Sequence, residues 1–213
     1  MRNSKKLIGA LVLASCLSGK TAMAQSAGAQ RINLGYNAVE VSGQDTKDFR
    51  ARAYADIGLS MSGVQIGYHG LNEMNNLDPG TFFGKEVFTL GKAGASSQAV
   101  AVMKLDSKGI IDVKYGVRNT GLPKKLSGYG YLDIAASGNS AGAIIFYGRG
   151  IGKGVSVETL QDMKFPFTGR PSVYSELQLN REIGRRGFLF GRAEVDNFNM
   201  RKGRYLVGIG IKR

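Results

Sequence analysis

Tryptophan is absent from this 213-residue chain, cysteine and histidine occur once each, and proline occurs four times. One cysteine excludes an intrachain disulfide framework, and one histidine excludes a multi-histidine metal site. Scarce proline beside 31 glycines excludes the mixed Pro/Gly composition of a disordered tract. No apolar run reaches the ~18–20 residues that a helix needs to cross a bilayer, so a helical membrane protein is excluded. Acidic residues are few, 16 against 29 Lys+Arg, for a net charge of +13.

Part of that charge belongs to an address. Arg2, Lys5 and Lys6 precede an apolar stretch, Leu7 to Leu17, and small residues Ala22 and Ala24 suit cleavage after Ala24. This is the pattern of a secretory signal peptide over residues 1–24. Leu13-Ala14-Ser15-Cys16 also resembles a lipobox, so lipid attachment at Cys16 stays open as a second route. With cleavage after Ala24, residues 25–213 form one domain without cysteine and with net charge +9. Basic proteins often meet nucleic acid, but an exported one is expected to meet lipopolysaccharide phosphates, peptidoglycan or an acidic exported polymer instead.

The strongest signal in residues 25–213 is alternation. Phe49, Ala51, Ala53, Ala55, Ile57, Leu59 and Met61 share one parity, and Arg50, Arg52, Tyr54, Asp56, Gly58 and Ser60 the other. Successive side chains of a strand point to opposite faces, so this segment has one apolar and one polar face. Ile111 to Arg118, Val173 to Asn180, Leu189 to Asp196 and Arg204 to Lys212 repeat the pattern, and weaker versions bring the total to twelve strands. Eight or ten remain open, because 154–161 and 82–91 alternate poorly. Asp106-Ser107-Lys108-Gly109, Ser137-Gly138-Asn139-Ser140 and Gly184-Arg185-Arg186-Gly187 read as tight turns. Longer breaks are expected at 72–81 and 162–171.

A soluble sandwich or calyx and a membrane barrel both alternate, but they point opposite faces inward. Strand length favours the barrel. The 49–61 run has about thirteen residues, against 5–6 for a usual globular strand and 9–11 for a tilted membrane strand. In pattern, from the leader to Ile211, the chain resembles the small outer-membrane β-barrel proteins of Gram-negative bacteria. It departs from them at the end, where Lys212-Arg213 stands in place of a terminal aromatic residue. The resemblance implies an all-β, antiparallel up-and-down transmembrane barrel in the outer membrane, in contact with its lipid and lipopolysaccharide. The role it implies is structural, interaction-based or that of a narrow channel.

Two sets of residues follow from that architecture. The polar strand faces carry both signs, which predicts a lumen ion-pair network of Arg50, Arg52, Lys114, Arg118, Glu176, Arg192, Glu194 and Asp196, with Glu86 and Asp133 among its acids. With twelve strands, every second connection lies on one rim. Those connections hold Lys92, Lys124, Lys125, Lys153, Arg185 and Arg186 and no acid, a candidate surface for an anionic partner. No cofactor or metal set is recognisable. A catalytic alternative is an acyl hydrolase or acyltransferase acting on lipid A through His69, with Ser60, Ser62, Glu73 and Asp78 nearby in sequence. The plainer expectation is a structural histidine at a strand end facing a rim.

Overall fold

The computed structural model describes residues 31–34, 37–43, 49–92, 94–121 and 127–212. The leader with Cys16, and the rim residues Lys124 and Lys125, lie outside the described residues. The strands are β1 Arg31–Leu34, β2 Ala38–Gly43, β3 Phe49–Met61, β4 Val64–Asn75, β5 Phe83–Lys92, β6 Ser97–Asp106 and β7 Gly109–Asn119. They continue as β8 Tyr129–Ala136, β9 Ser140–Gly152, β10 Val155–Pro166, β11 Ser172–Ile183, β12 Gly187–Asp196 and β13 Arg204–Lys212. From β2 onward each strand pairs antiparallel with its successor, and β13 returns to β2. β1 and β2 both pair with β3, at Ile57–Ser60 and Phe49–Tyr54, so together they make one interrupted stave. The result is a closed antiparallel barrel of twelve staves, as the alternation predicts. A sandwich is excluded by that closure, which gives every strand from β2 to β13 a neighbour on both sides.

The tight turns follow local chemistry. Ser62-Gly63 and Lys153-Gly154 both have positive φ at each central residue, the twist that matches two flanking strands. The expected breaks are shorter than the sequence suggests. β4 runs on to Asn75 and β10 to Pro166, which moves Glu73, Asp162 and Lys164 from connections into strands. Asparagine ends two staves. Asn76 turns with φ 51° and its amide and side-chain oxygen close onto Phe49, at 2.7 and 3.0 Å. Asn197 repeats this on Val173, at 2.6 and 2.9 Å. Asparagine tolerates that left-handed conformation better than most residues.

The faces are inverted relative to a water-soluble protein. Ladder partners share a face, and the row Leu189, Ile209, Val41 is exposed and apolar. So are Val117, Ile134, Leu177, Leu179 and Val207, the last 72% exposed. Their neighbours of opposite parity include Glu40, Arg50, Arg52, Lys85, Arg118, Asp133, Arg192 and Glu194, all buried. Burying charge while exposing aliphatic side chains is costly in water and favourable in lipid.

The lumen is not wholly polar. Val87, Val100, Val102, Ala135 and Ile144 pack inside with Tyr131 and Leu160, and Ala38, Phe188 and Phe190 pack with Tyr54. In β5 and β6 both faces are largely apolar, so parity carries no contrast there. Glycine makes room for the rings. Gly208 and Gly210 stand opposite Phe190 and Phe188, and Gly148 opposite Tyr129; a Cβ at any of the three would overlap the facing ring. This close approach accounts for part of the glycine content.

Candidate functional site

The lumen holds nearly all the chemistry. On the side formed by β2, β3, β11 and β12, alternation sends Glu40, Arg50, Arg52, Tyr54, Glu176, Gln178, Arg192 and Glu194 inward, where each carboxylate meets guanidinium groups from other strands. Arg50 binds Glu73 at 3.0 Å and Glu194 at 2.7 Å. Arg52 reaches Glu73, Glu176 and Glu194 at 2.5, 2.8 and 2.9 Å. Arg192 pairs with Glu40, contacts Glu176 at 3.2 Å, donates to Gln178 at 2.7 Å and lies 4.7 Å over the Phe190 ring. Ionised partners and forked guanidinium geometry make these strong, directional contacts.

A second set crosses the lumen. Asp162 on β10 receives Lys85 from β5 at 3.0 Å and Lys104 from β6 at 3.1 Å. β5 and β10 lie five staves apart in a ring of twelve, so this bridge spans nearly the full diameter. Arg118 and Asp133, on neighbouring staves, form a two-pronged pair at 2.7 and 2.8 Å, with the guanidinium 3.8 Å over Tyr131. Lys114 stands 3.6 Å from Asp112.

Three cavities follow one another between these braces. The first, about 440 Å³, lies among Asp56, His69, Thr89, Arg118 and Tyr131, with Ser96 and Thr120 of the adjacent rim in its wall. The second, about 460 Å³, shares Asp56, His69 and Tyr131 with the first, and adds Tyr54, Phe146 and Glu158. The third, about 340 Å³, shares Arg52, Leu71, Lys85, Leu160 and Glu176 with the second and reaches Lys202 near the opposite rim.

Of the residues expected in the network, the structure brings Arg50, Arg52, Glu176, Arg192 and Glu194 into one connected set, and pairs Lys114 and Arg118 separately. Asp196 does not join: it ends β12, exposed, with no ion pair among the described residues. Glu86 is not in the lumen. It faces outward beside Phe88 and accepts a hydrogen bond from Tyr68, because β5 places Lys85 and Val87 inward instead. Glu40, Glu73, Lys85 and Asp162 are network members that the sequence reading missed. The first lies in a weakly alternating segment, and Glu73 and Asp162 lie where breaks were expected.

His69 is not at a rim. It sits midway along β4, faces the lumen, and holds Asp56 through Nδ1 at 3.0 Å. The other residues near it in sequence do not converge on it. Ser60 and Ser62 lie at the far end of the hairpin, Glu73 serves Arg50 and Arg52, and Asp78 accepts from the Gly80 amide at 3.0 Å. The group of the basic rim is placed as the strand count requires: Lys92, Lys153, Arg185 and Arg186 are exposed at the end of the barrel that carries Arg31 and Lys212. Among the described residues, no group of three or more His, Cys, Asp or Glu could hold a metal ion.

No protein-family model and no curated protein sequence matches this chain. A solved chain from work on the mechanism of in-meso crystallization of membrane proteins superposes on 84% of this chain and 83% of its own, with a TM-score of 0.54. The two are 7% identical, so the likeness is one of fold.

Proposed function

We propose that this protein is an integral β-barrel of the Gram-negative outer membrane, with a structural or interaction role and a lumen braced shut. One observation carries the reading: the exposed face is an aliphatic belt, while the buried face holds a network of paired charges. A soluble calyx would need the reverse, an apolar interior and a polar exterior. The fold likeness to a chain from membrane-protein work supports the same reading. On the rim with Lys92, Lys153, Arg185 and Arg186 four of the five connections span two to four residues and one, 120–128, spans nine, whereas four of the six on the other rim span five to seven. This majority of short turns favours placing the former rim toward the periplasm. There it would meet an anionic polymer such as peptidoglycan. Co-sedimentation with purified peptidoglycan, lost on replacing these four residues by Gln or by adding salt, tests that contact.

A second reading is a narrow channel, favoured by the three cavities in series. Conduction would require the Lys85–Asp162–Lys104 bridge to part. Cell fractionation with gel mobility before and after boiling tests the main reading. An outer-membrane band that shifts on boiling supports it, and release with soluble periplasmic contents overturns it. Step conductance from the wild-type barrel in planar bilayers would favour the channel.

A further inference from the structure

The outer face carries a charge pattern that the lumen network does not explain. Among the described strand residues, only two arginines point outward, Arg149 on β9 and Arg181 on β11. Ladder partners fix their direction. Arg149 shares a row with Val157 and Leu179, and Arg181 shares one with Val155, Leu189 and Ile209, rows whose exposed members are aliphatic. Both arginines are exposed, and neither has an ion-pair partner among the described residues. They flank β10 near the rim that carries Lys92, Lys153, Arg185 and Arg186. Two interstrand spacings and a two-residue offset separate their Cα atoms by roughly 12 Å. Extended guanidinium side chains can close that span around one phosphodiester.

The surroundings fit the same ligand. Lys153 lies in the β9–β10 turn, which is tied to β11 by the Glu182 amide donating to the Gly154 carbonyl at 2.8 Å. That tie sets a third cation beside Arg181. Glu182, the acid of this neighbourhood among the described residues, is engaged by Lys212. Val155, Val157 and Leu179 supply an aliphatic floor between and beside the arginines, leading into the apolar belt. Phosphate recognition at the edge of an apolar surface is the chemistry of a lipid headgroup with its acyl chain. Arginine suits it because its stem packs on aliphatic surface while its fork binds phosphate oxygens.

We infer that Arg149, Arg181 and Lys153 form a binding site for an anionic phospholipid of the leaflet that meets this rim. The inference rests on the membrane-barrel reading and names a lipid partner and its residues.

The test uses the folded, heat-modifiable barrel in mixed micelles with equimolar phosphatidylglycerol and phosphatidylcholine. Native mass spectrometry reads the ratio of the two lipids retained. Two arginines at an anionic lipid correspond to roughly thirty-fold in that ratio. The wild type should retain phosphatidylglycerol by at least that factor, Arg149→Gln/Lys153→Gln/Arg181→Gln should bring the ratio near one, and Lys108→Gln/Lys202→Gln on the opposite rim should leave it unchanged. A wild-type ratio near one, or an undiminished preference in that triple variant, overturns the proposal. Insertion into pure phosphatidylcholine vesicles, assayed in parallel, separates the two levels. A barrel that inserts there without lipid preference refutes the site alone, whereas one that enters no vesicle and shows no heat-modifiable form refutes the membrane reading and the site together.

Discussion

Removing Asp133 should be among the most damaging single changes to this barrel. Asp133 and Arg118 are 1% and 2% exposed in their side chains, and they share two charge-assisted hydrogen bonds. Asp133→Ala leaves a guanidinium without compensation in the packed lumen. Breaking such a pair from one side costs about 3–5 kcal/mol. Arg118→Ala strands the carboxylate and also removes the cation over Tyr131, a further loss of about 0.5–2 kcal/mol. Replacing both residues by Leu removes both charges, and that double variant should lie much nearer the wild type than either single one. With a urea slope of about 1–3 kcal/mol per M, a loss of 3 kcal/mol lowers the unfolding midpoint by about 1–3 M. The chain has no tryptophan, so the gel mobility of folded against unfolded barrel is the convenient readout across urea. Single variants that each cost under about 1 kcal/mol, and that add in the double, would refute the claim that this pair is a strong lumen brace.

Asp162→Asn should leave Lys85 and Lys104, ladder partners side by side on β5 and β6, without their shared carboxylate from across the lumen; planar-bilayer recording should then show larger, anion-selective conductance steps than the wild type. His69→Ala should leave the lipid A acylation profile unchanged by mass spectrometry, since the structure pairs it with Asp56 and not with a serine. A Cβ at Gly116 would overlap the Ile134 carbonyl, which no rotamer can relieve, so Gly116→Ala should cost about 1–3 kcal/mol in urea unfolding. Gly191→Ala meets open space and should be nearly neutral in the same assay.

Strict alternation made β3, β7, β11 and β13 legible, because each sets charged or polar residues against a mainly apolar face. The network around Arg50, Arg52, Arg192, Glu176 and Glu194 follows from those strands, since inward parity leaves these side chains no partners but each other. Legibility failed where parity carries no contrast. In β5, Val87 and Phe88 are both apolar, so nothing in the sequence told that Lys85 points inward and Glu86 outward. Prolines and Asn-Asp clusters suggested early breaks at 72–81 and 162–171. The strands persist there because Asn76 closes the hairpin only after Asn75, and Pro166 needs no amide donor at a strand end. The Asp162 bridge was invisible for a different reason: it joins staves five apart, and only closure of the sheet brings them together. Arg149 and Arg181 were passed over because single charges near turns resemble ordinary solvated residues.

Site-directed spin labelling along β11 tests the membrane-barrel reading most directly. With the sole cysteine, Cys16, replaced by Ser, single cysteines at Leu177, Gln178, Leu179 and Asn180 give unique labels. In vesicles, labels at Leu177 and Leu179 should collide with dissolved oxygen and be shielded from an aqueous nickel reagent, with the order reversed or both collisions suppressed at Gln178 and Asn180. Free access of the nickel reagent to positions 177 and 179 would contradict the account, because it would place the aliphatic belt in water.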